Sequence, residues 1–104
     1  NLRVPDLQSI GLKLVGGRLL PGPTGAAAFY MYEGASGERF TIYCAKAATP
    51  ASAFRYTAGE RAAAFYWADG KVAYVVSGPA DRDKLEKVAK AAYEQMERHD
   101  AKRS

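Results

Sequence analysis

The 104 residues carry 15 Lys+Arg against 11 Asp+Glu, a formal net charge of +4, and 48% of them are hydrophobic. A chain of this length holds one domain, residues 1–104, with a single modest core over about residues 5–96, and it excludes a second domain. It has one Cys and one His, which excludes an internal disulfide and a Cys-based metal centre; Cys44 reads as a small buried hydrophobe on a strand.

Val4-Pro5-Asp6-Leu7-Gln8-Ser9-Ile10 reads as an entry segment in which Asp6 caps one helical turn ended by Gly11. Leu12 to Leu20 alternates in part and is interrupted by Gly16-Gly17. A bulged strand and two short strands joined by a tight turn both fit, closed by a Pro21-Gly22-Pro23 loop.

Ala27 to Glu33 and Glu38 to Ala45 flank Gly34-Ala35-Ser36-Gly37, the composition of a hairpin with a four-residue connection. With Glu33 opposite Glu38, Met31 meets Phe40 and Phe29 meets Ile42, and Cys44 follows on that apolar face. The other face then carries Tyr30, Tyr32, Arg39, Thr41 and Tyr43, and Tyr30, Tyr32, Arg39 and Tyr43 form the candidate partner-contact surface. The like charges of Glu33 and Glu38 oppose this register, and a slip of one residue exchanges the two faces.

Residues 46 to 53 read as a loop, and Phe54-Arg55-Tyr56-Thr57 as a short strand stopped at Gly59. Phe65-Tyr66-Trp67-Ala68-Asp69-Gly70-Lys71-Val72-Ala73-Tyr74-Val75-Val76 is the clearest hairpin in the chain, since Asp-Gly accepts the positive φ of a tight turn between aromatic and β-branched segments. An Asp69-Gly70 turn pairs Trp67 with Val72 and Phe65 with Tyr74, and puts Ala64, Tyr66, Ala73 and Val75 on the second face, where another layer can approach closely.

Asp81 is the expected N-cap of a helix whose Leu85, Val88, Ala89, Ala92, Tyr93 and Met96 make one apolar stripe. Asp83 with Lys87, Glu86 with Lys90 and Glu94 with Arg98 are acid-first pairs on its wet side, and His99 to Ser104 is expected to fray. The fold class that follows is α+β: a meandering antiparallel sheet of five or six short strands with a C-terminal helix packed on one face. There is no convincing internal repeat, although Ala26 to Tyr32 and Ala62 to Trp67 are both Ala-rich and aromatic.

Nothing in this pattern assembles a catalytic site, a metal centre or a cofactor cradle. His99 near the helix end suits a capping role, and Asp81 and Asp83 suit a helix N-terminus. Gly11, Gly16 and Gly17 match no phosphate-binding spacing. The basic excess is spread along the chain, eight Lys/Arg against five Asp/Glu in residues 1 to 80 and seven against six thereafter, so no continuous cationic track points to nucleic acid. Phe65 and Trp67 are expected under the helix.

Gly11-Leu12-Lys13-Leu14-Val15-Gly16-Gly17-Arg18-Leu19-Leu20-Pro21-Gly22, Met31-Tyr32-Glu33, Ala53-Phe54-Arg55, Phe65-Tyr66-Trp67 with Asp69-Gly70, and Ser77-Gly78 before Asp81-Arg82 together resemble the C-terminal region of membrane-anchored anti-sigma factors of Gram-negative bacteria, over about residues 5 to 96. The resemblance implies a periplasmic sensory or regulatory domain of an inner-membrane protein, a protein partner in the periplasm, and contact with an extracytoplasmic-function sigma factor only through a segment absent from these residues. Asn1 as first residue fits an upstream membrane span. No enzyme activity and no cofactor are implied. A free-standing periplasmic ligand-binding module and a cytoplasmic nucleic-acid-binding domain are the alternatives.

Overall fold

Two glycines with left-handed backbone set the hairpins, Gly37 at φ +84° and Gly70 at φ +95°, conformations that cost a Cβ-bearing residue dearly. The computed structural model describes residues 4–22, 25–46, 50 and 52–103, with side chains except those of residues 22, 25, 26 and 96–103. The six strands are β1 (Lys13–Gly22), β2 (Gly25–Glu33), β3 (Arg39–Lys46), β4 (Arg55–Ala58), β5 (Ala62–Ala68) and β6 (Val72–Pro79), followed by helix α1 (Arg82–Arg103). They form one antiparallel sheet in the order β1-β2-β3-β6-β5-β4. Two three-stranded meanders are therefore joined side by side at β3 and β6, and the α+β class holds.

In the first meander the β2–β3 connection is one residue shorter than its composition suggests. Gly34 N–H donates to the Glu38 carbonyl at 2.8 Å and Gly37 N–H to the Gly34 carbonyl at 3.0 Å, so three residues close the hairpin and the left-handed Gly37 supplies the bulge such loops use. The register becomes Glu33 opposite Arg39, Tyr32 opposite Phe40, Tyr30 opposite Ile42 and Ala28 opposite Cys44. The pairing of Met31 with Phe40 and of Phe29 with Ile42 is corrected by one residue, and the faces exchange as a period of two requires.

The β5–β6 hairpin is offset as well, by two. Asp69 N–H donates to the Val72 carbonyl at 3.1 Å, so Gly70-Lys71 are the central residues, while Asp69 Oδ1 accepts the Lys71 and Val72 amides at 2.9 and 2.8 Å. Trp67 then faces Tyr74 and Phe65 faces Val76. An even offset leaves every side chain on the face expected for it.

Strand β1 is continuous through Gly16-Gly17 and on to Gly22, with its irregularity between Leu14 and Gly16. The bulged-strand alternative is the one realised, and Pro21 sits in an edge strand, where a missing N–H is tolerated. The entry segment forms a single 3-10 turn over Gln8–Ile10 ended by Gly11, but its N-cap is Leu7, which makes no side-chain cap, and Asp6, one residue earlier, accepts the Gln8 amide on Oδ1 at 3.1 Å instead.

The core lies on one face. Tyr30, Tyr32, Phe40, Ile42, Cys44, Phe65, Trp67, Tyr74 and Val76 point into it from the sheet, and Leu85, Val88, Ala89 and Ala92 from α1. Each large side chain removed from water there contributes about 1.5–3 kcal/mol. The helix lies across β5 and β6, and its entry is capped by Asp81 Oδ1, which accepts the Lys84 amide at 3.2 Å. The remaining core, under β2 and β3, is closed by Pro5, Leu7 and Leu12 of the entry segment. Tyr32 Oη donates to the Pro5 carbonyl at 2.6 Å, and the Asp6 amide donates to Gln95 Oε1 at 2.7 Å, tying segment to helix.

Gly78 is where the layers meet. A Cβ built there would lie 2.5 Å from Phe40 Cδ2 and 3.3 Å from Leu85 Cδ1, so only a glycine lets ring and helix close on β6. The helix is assigned through His99 to Arg103; the side-chain roles expected of Met96, Arg98 and His99 lie outside the described residues, as does part of the 46–53 loop.

Candidate interaction surface

The one-residue register correction divides the expected contact surface. Tyr30 and Tyr32 are 7% and 1% exposed and belong to the core. The Tyr30 ring lies over Gly17, and burial, ahead of the neighbouring Cys44, raises the pKa of its phenol. Burial also raises that of Tyr32 and pushes the Cys44 thiol up to about 12, so all three are neutral packing groups. Arg39 and Tyr43 remain on the opposite, outward face.

That outward face, the one α1 does not cover, carries a row that crosses the whole sheet. Registers align Arg18 of β1 with Phe29 of β2, Phe29 with Tyr43 of β3, Tyr43 with Val75 of β6, Val75 with Tyr66 of β5, and Tyr66 with Arg55 of β4. Residues directly opposite in register share a face. Tyr66 is 40% and Val75 36% exposed, Phe29 and Tyr43 are half-buried, and both arginines are exposed. The rows on either side are mostly small: Met31, Thr41, Ser77, Ala64 and Thr57 along one, Ala27, Ala45, Ala73 and Ala68 along the other. The Thr41 and Ser77 hydroxyls bond one another. Ala27, Ala45 and Ala68 of the second row are buried, whereas Met31, Thr41, Ser77, Ala64 and Thr57 are partly or fully exposed, so the apolar row is flanked on one side by an accessible row of mostly smaller side chains.

Charge on this face is one-sided. Arg39 Nε lies 3.2 Å from Glu33 Oε2, and its Nη1 3.0 Å from Met31 Sδ. Among the described residues, Lys13, Arg18 and Arg55 have no ion-pair partner.

A second concavity, of about 910 Å3, lies between α1 and the β4–β5 edge, over Phe54, Tyr56, Phe65, Trp67 and Tyr93. Its groups are largely occupied with each other. Phe54 stacks on Trp67 at 4.5 Å between centroids and meets Tyr93 edge-on at 5.4 Å, Arg82 sits 4.9 Å above Tyr56, and Lys90 pairs with Glu86 at 3.2 Å. It is the seam that seats the helix, as expected for Phe65 and Trp67. Among the described residues no cluster of three or more His, Cys, Asp or Glu is placed to hold a metal ion.

Sequence reading missed Arg18, Phe29, Arg55, Tyr66 and Val75 as members of one surface, although it placed Tyr66 and Val75 on a shared face. Alternation groups residues within a hairpin, but lateral alignment across six strands needs every register at once. Compared with known proteins, the chain matches no family model, no curated protein and no solved structure.

Proposed function

We propose that this chain is a sensory or regulatory domain that works by protein contact, as the periplasmic part of a membrane-anchored anti-sigma factor that governs when an extracytoplasmic-function sigma factor is released. The observation that carries the contact reading is the asymmetry of the sheet: one face is covered by α1 and the entry segment, and the other carries a partly exposed, largely aromatic row between Arg18 and Arg55, which have no ion-pair partner among the described residues. The anti-sigma assignment rests on the order and spacing of the sequence motifs alone. Such a domain biases a two-state equilibrium only through contacts that differ between the states.

Removing everything from Val4 onward in the complete protein is expected to change sigma-dependent transcription, read with a promoter reporter under resting and inducing conditions. Unaltered transcription in both conditions removes the regulatory role. The concavity beside α1, within the size range of small-molecule sites, favours the ligand-binding module as second reading; a ligand that raises the melting temperature and shifts Trp67 emission would support it.

A further inference from the structure

The outward face has an apolar row, a length and a sign of charge, and together they specify an occupant. Five strand spacings separate Arg18 from Arg55, about 24 Å at ~4.8 Å each, and the span between them is apolar: Phe29, Tyr43, Val75 and Tyr66. We infer that this face docks an amphipathic helix of a partner protein, laid across the strands along the apolar row and the accessible row of Met31, Thr41, Ser77, Ala64 and Thr57 beside it, with an acidic side chain at each end of an apolar stripe. This inference rests on the contact reading above and names the partner's chemistry.

Three alternatives fit less well. An extended peptide crossing the strands would place its own amides and carbonyls over an apolar row with no partners, whereas a helix satisfies them internally; at 1.5 Å per residue about 16 residues cover the span. A single-stranded nucleic acid carries charge on every nucleotide, but the cations here stand at the two ends and none stands in the middle of the row. A second copy would bring Lys13, Arg18 and Arg55 of one face against the same charges of the other, with only the already paired Glu33 to offset them.

The test uses the 104-residue chain and two labelled 18-residue helical peptides with the same apolar stripe, one ending in Glu on both sides and one in Lys, read by fluorescence anisotropy at low salt. The Glu-ended peptide is expected to bind at least tenfold tighter, to lose tenfold or more with Tyr66→Ser, and to exchange places with the Lys-ended peptide when Arg18→Glu and Arg55→Glu are combined. Melting curves of these surface variants identify any that fail to fold, and Val75→Thr replaces Tyr66→Ser in that event. No preference between the peptides, or a preference that the charge reversal leaves unmoved, overturns the inference. Tighter binding of a dT12 oligonucleotide, or a dimer in sedimentation that Tyr66→Ser dissociates, overturns it in favour of nucleic acid or self-association. The reporter result is independent: a transcriptional effect of deleting the domain alongside indifferent peptides keeps the proposed function and removes this partner, and peptide selectivity with an unchanged reporter does the reverse.

Discussion

Glu33 stands directly opposite Arg39, with Nε of the guanidinium 3.2 Å from Oε2 of the carboxylate. The pair sits at the hairpin end where Glu38 would otherwise face Glu33, and its register is the one that turns Tyr30 and Tyr32 inward. Both side chains are partly exposed, at 56% and 38%, so the pair itself is worth only about 0.2–1 kcal/mol.

Reversing one charge should therefore cost little more than that, and reversing both should restore it. Arg39→Glu is expected to lower stability by about 1 kcal/mol, and Glu33→Arg combined with Arg39→Glu to recover most of the loss in urea denaturation. The loop carries more: Gly37→Ala forces a Cβ into φ +84° and is expected to cost about 1–2 kcal/mol.

Alkaline pH should destabilise the fold through groups held neutral in the core. The Cys44 thiol is pushed up to about 12 by burial and the Tyr32 phenol is raised too, whereas unfolded values lie near 8.5 and 10. A folded pKa above the unfolded one means the unfolded chain gives up its proton first. The contribution of Cys44 is full below about pH 8.5 and is lost as pH rises toward 12; that of Tyr32 is lost from about pH 10 upward. Urea midpoints at pH 7 and pH 10 check this, and Cys44→Ala should flatten the fall between them. Native Cys44 should also resist a thiol reagent until the protein unfolds.

Tyr32→Phe keeps the packing and removes the donor to the Pro5 carbonyl. A buried acceptor left without its partner costs about 1–3 kcal/mol. The entry segment should loosen first, seen as faster amide exchange at Leu7 and Leu12 than in the wild type.

Gly78→Ala should destabilise by about 1–3 kcal/mol, because its Cβ meets the Phe40 ring at 2.5 and 2.9 Å in a packed core. Combining it with Phe40→Leu is expected to cost less than the sum of the two changes; strict additivity in thermal unfolding would place the strain elsewhere.

Trp67 is stacked between Phe54 at 4.5 Å and Tyr74 at 5.0 Å and is 4% exposed. Trp67→Ala is expected to cost about 3–5 kcal/mol. As the only Trp it also reports on its cover: Phe54→Ala should shift its emission to the red, and Tyr66→Ala, on the opposite face, should not.

Local chemistry made several elements legible. Asp81 before an apolar stripe gave the helix and its cap, and Asp69-Gly70 between aromatic strands gave the second hairpin. The second hairpin's register differs from that local expectation by two residues, without consequence for which side chains are buried. The first hairpin's differs by one, and that single residue puts Tyr30 and Tyr32 in the core and Phe29 on the outward face. Four residues of suitable composition do not reveal that Gly34 is itself the last paired position.

The pentapeptide Ala-Ala-Ala-Phe-Tyr marks the boundary between the two kinds of information. It occurs at residues 26–30 and again at 62–66, in the middle strand of each meander. In β2 the Tyr, Tyr30, is buried and Phe29 turns outward; in β5 the Phe, Phe65, is buried and Tyr66 turns outward. The sequence by itself determined that both copies are strands, with period-two alternation and turns after them, because propensity and turn chemistry are local. Which alternate residues enter the core was decided by the tertiary structure, through loop lengths that set register and through the helix and entry segment that chose one face of the sheet to cover.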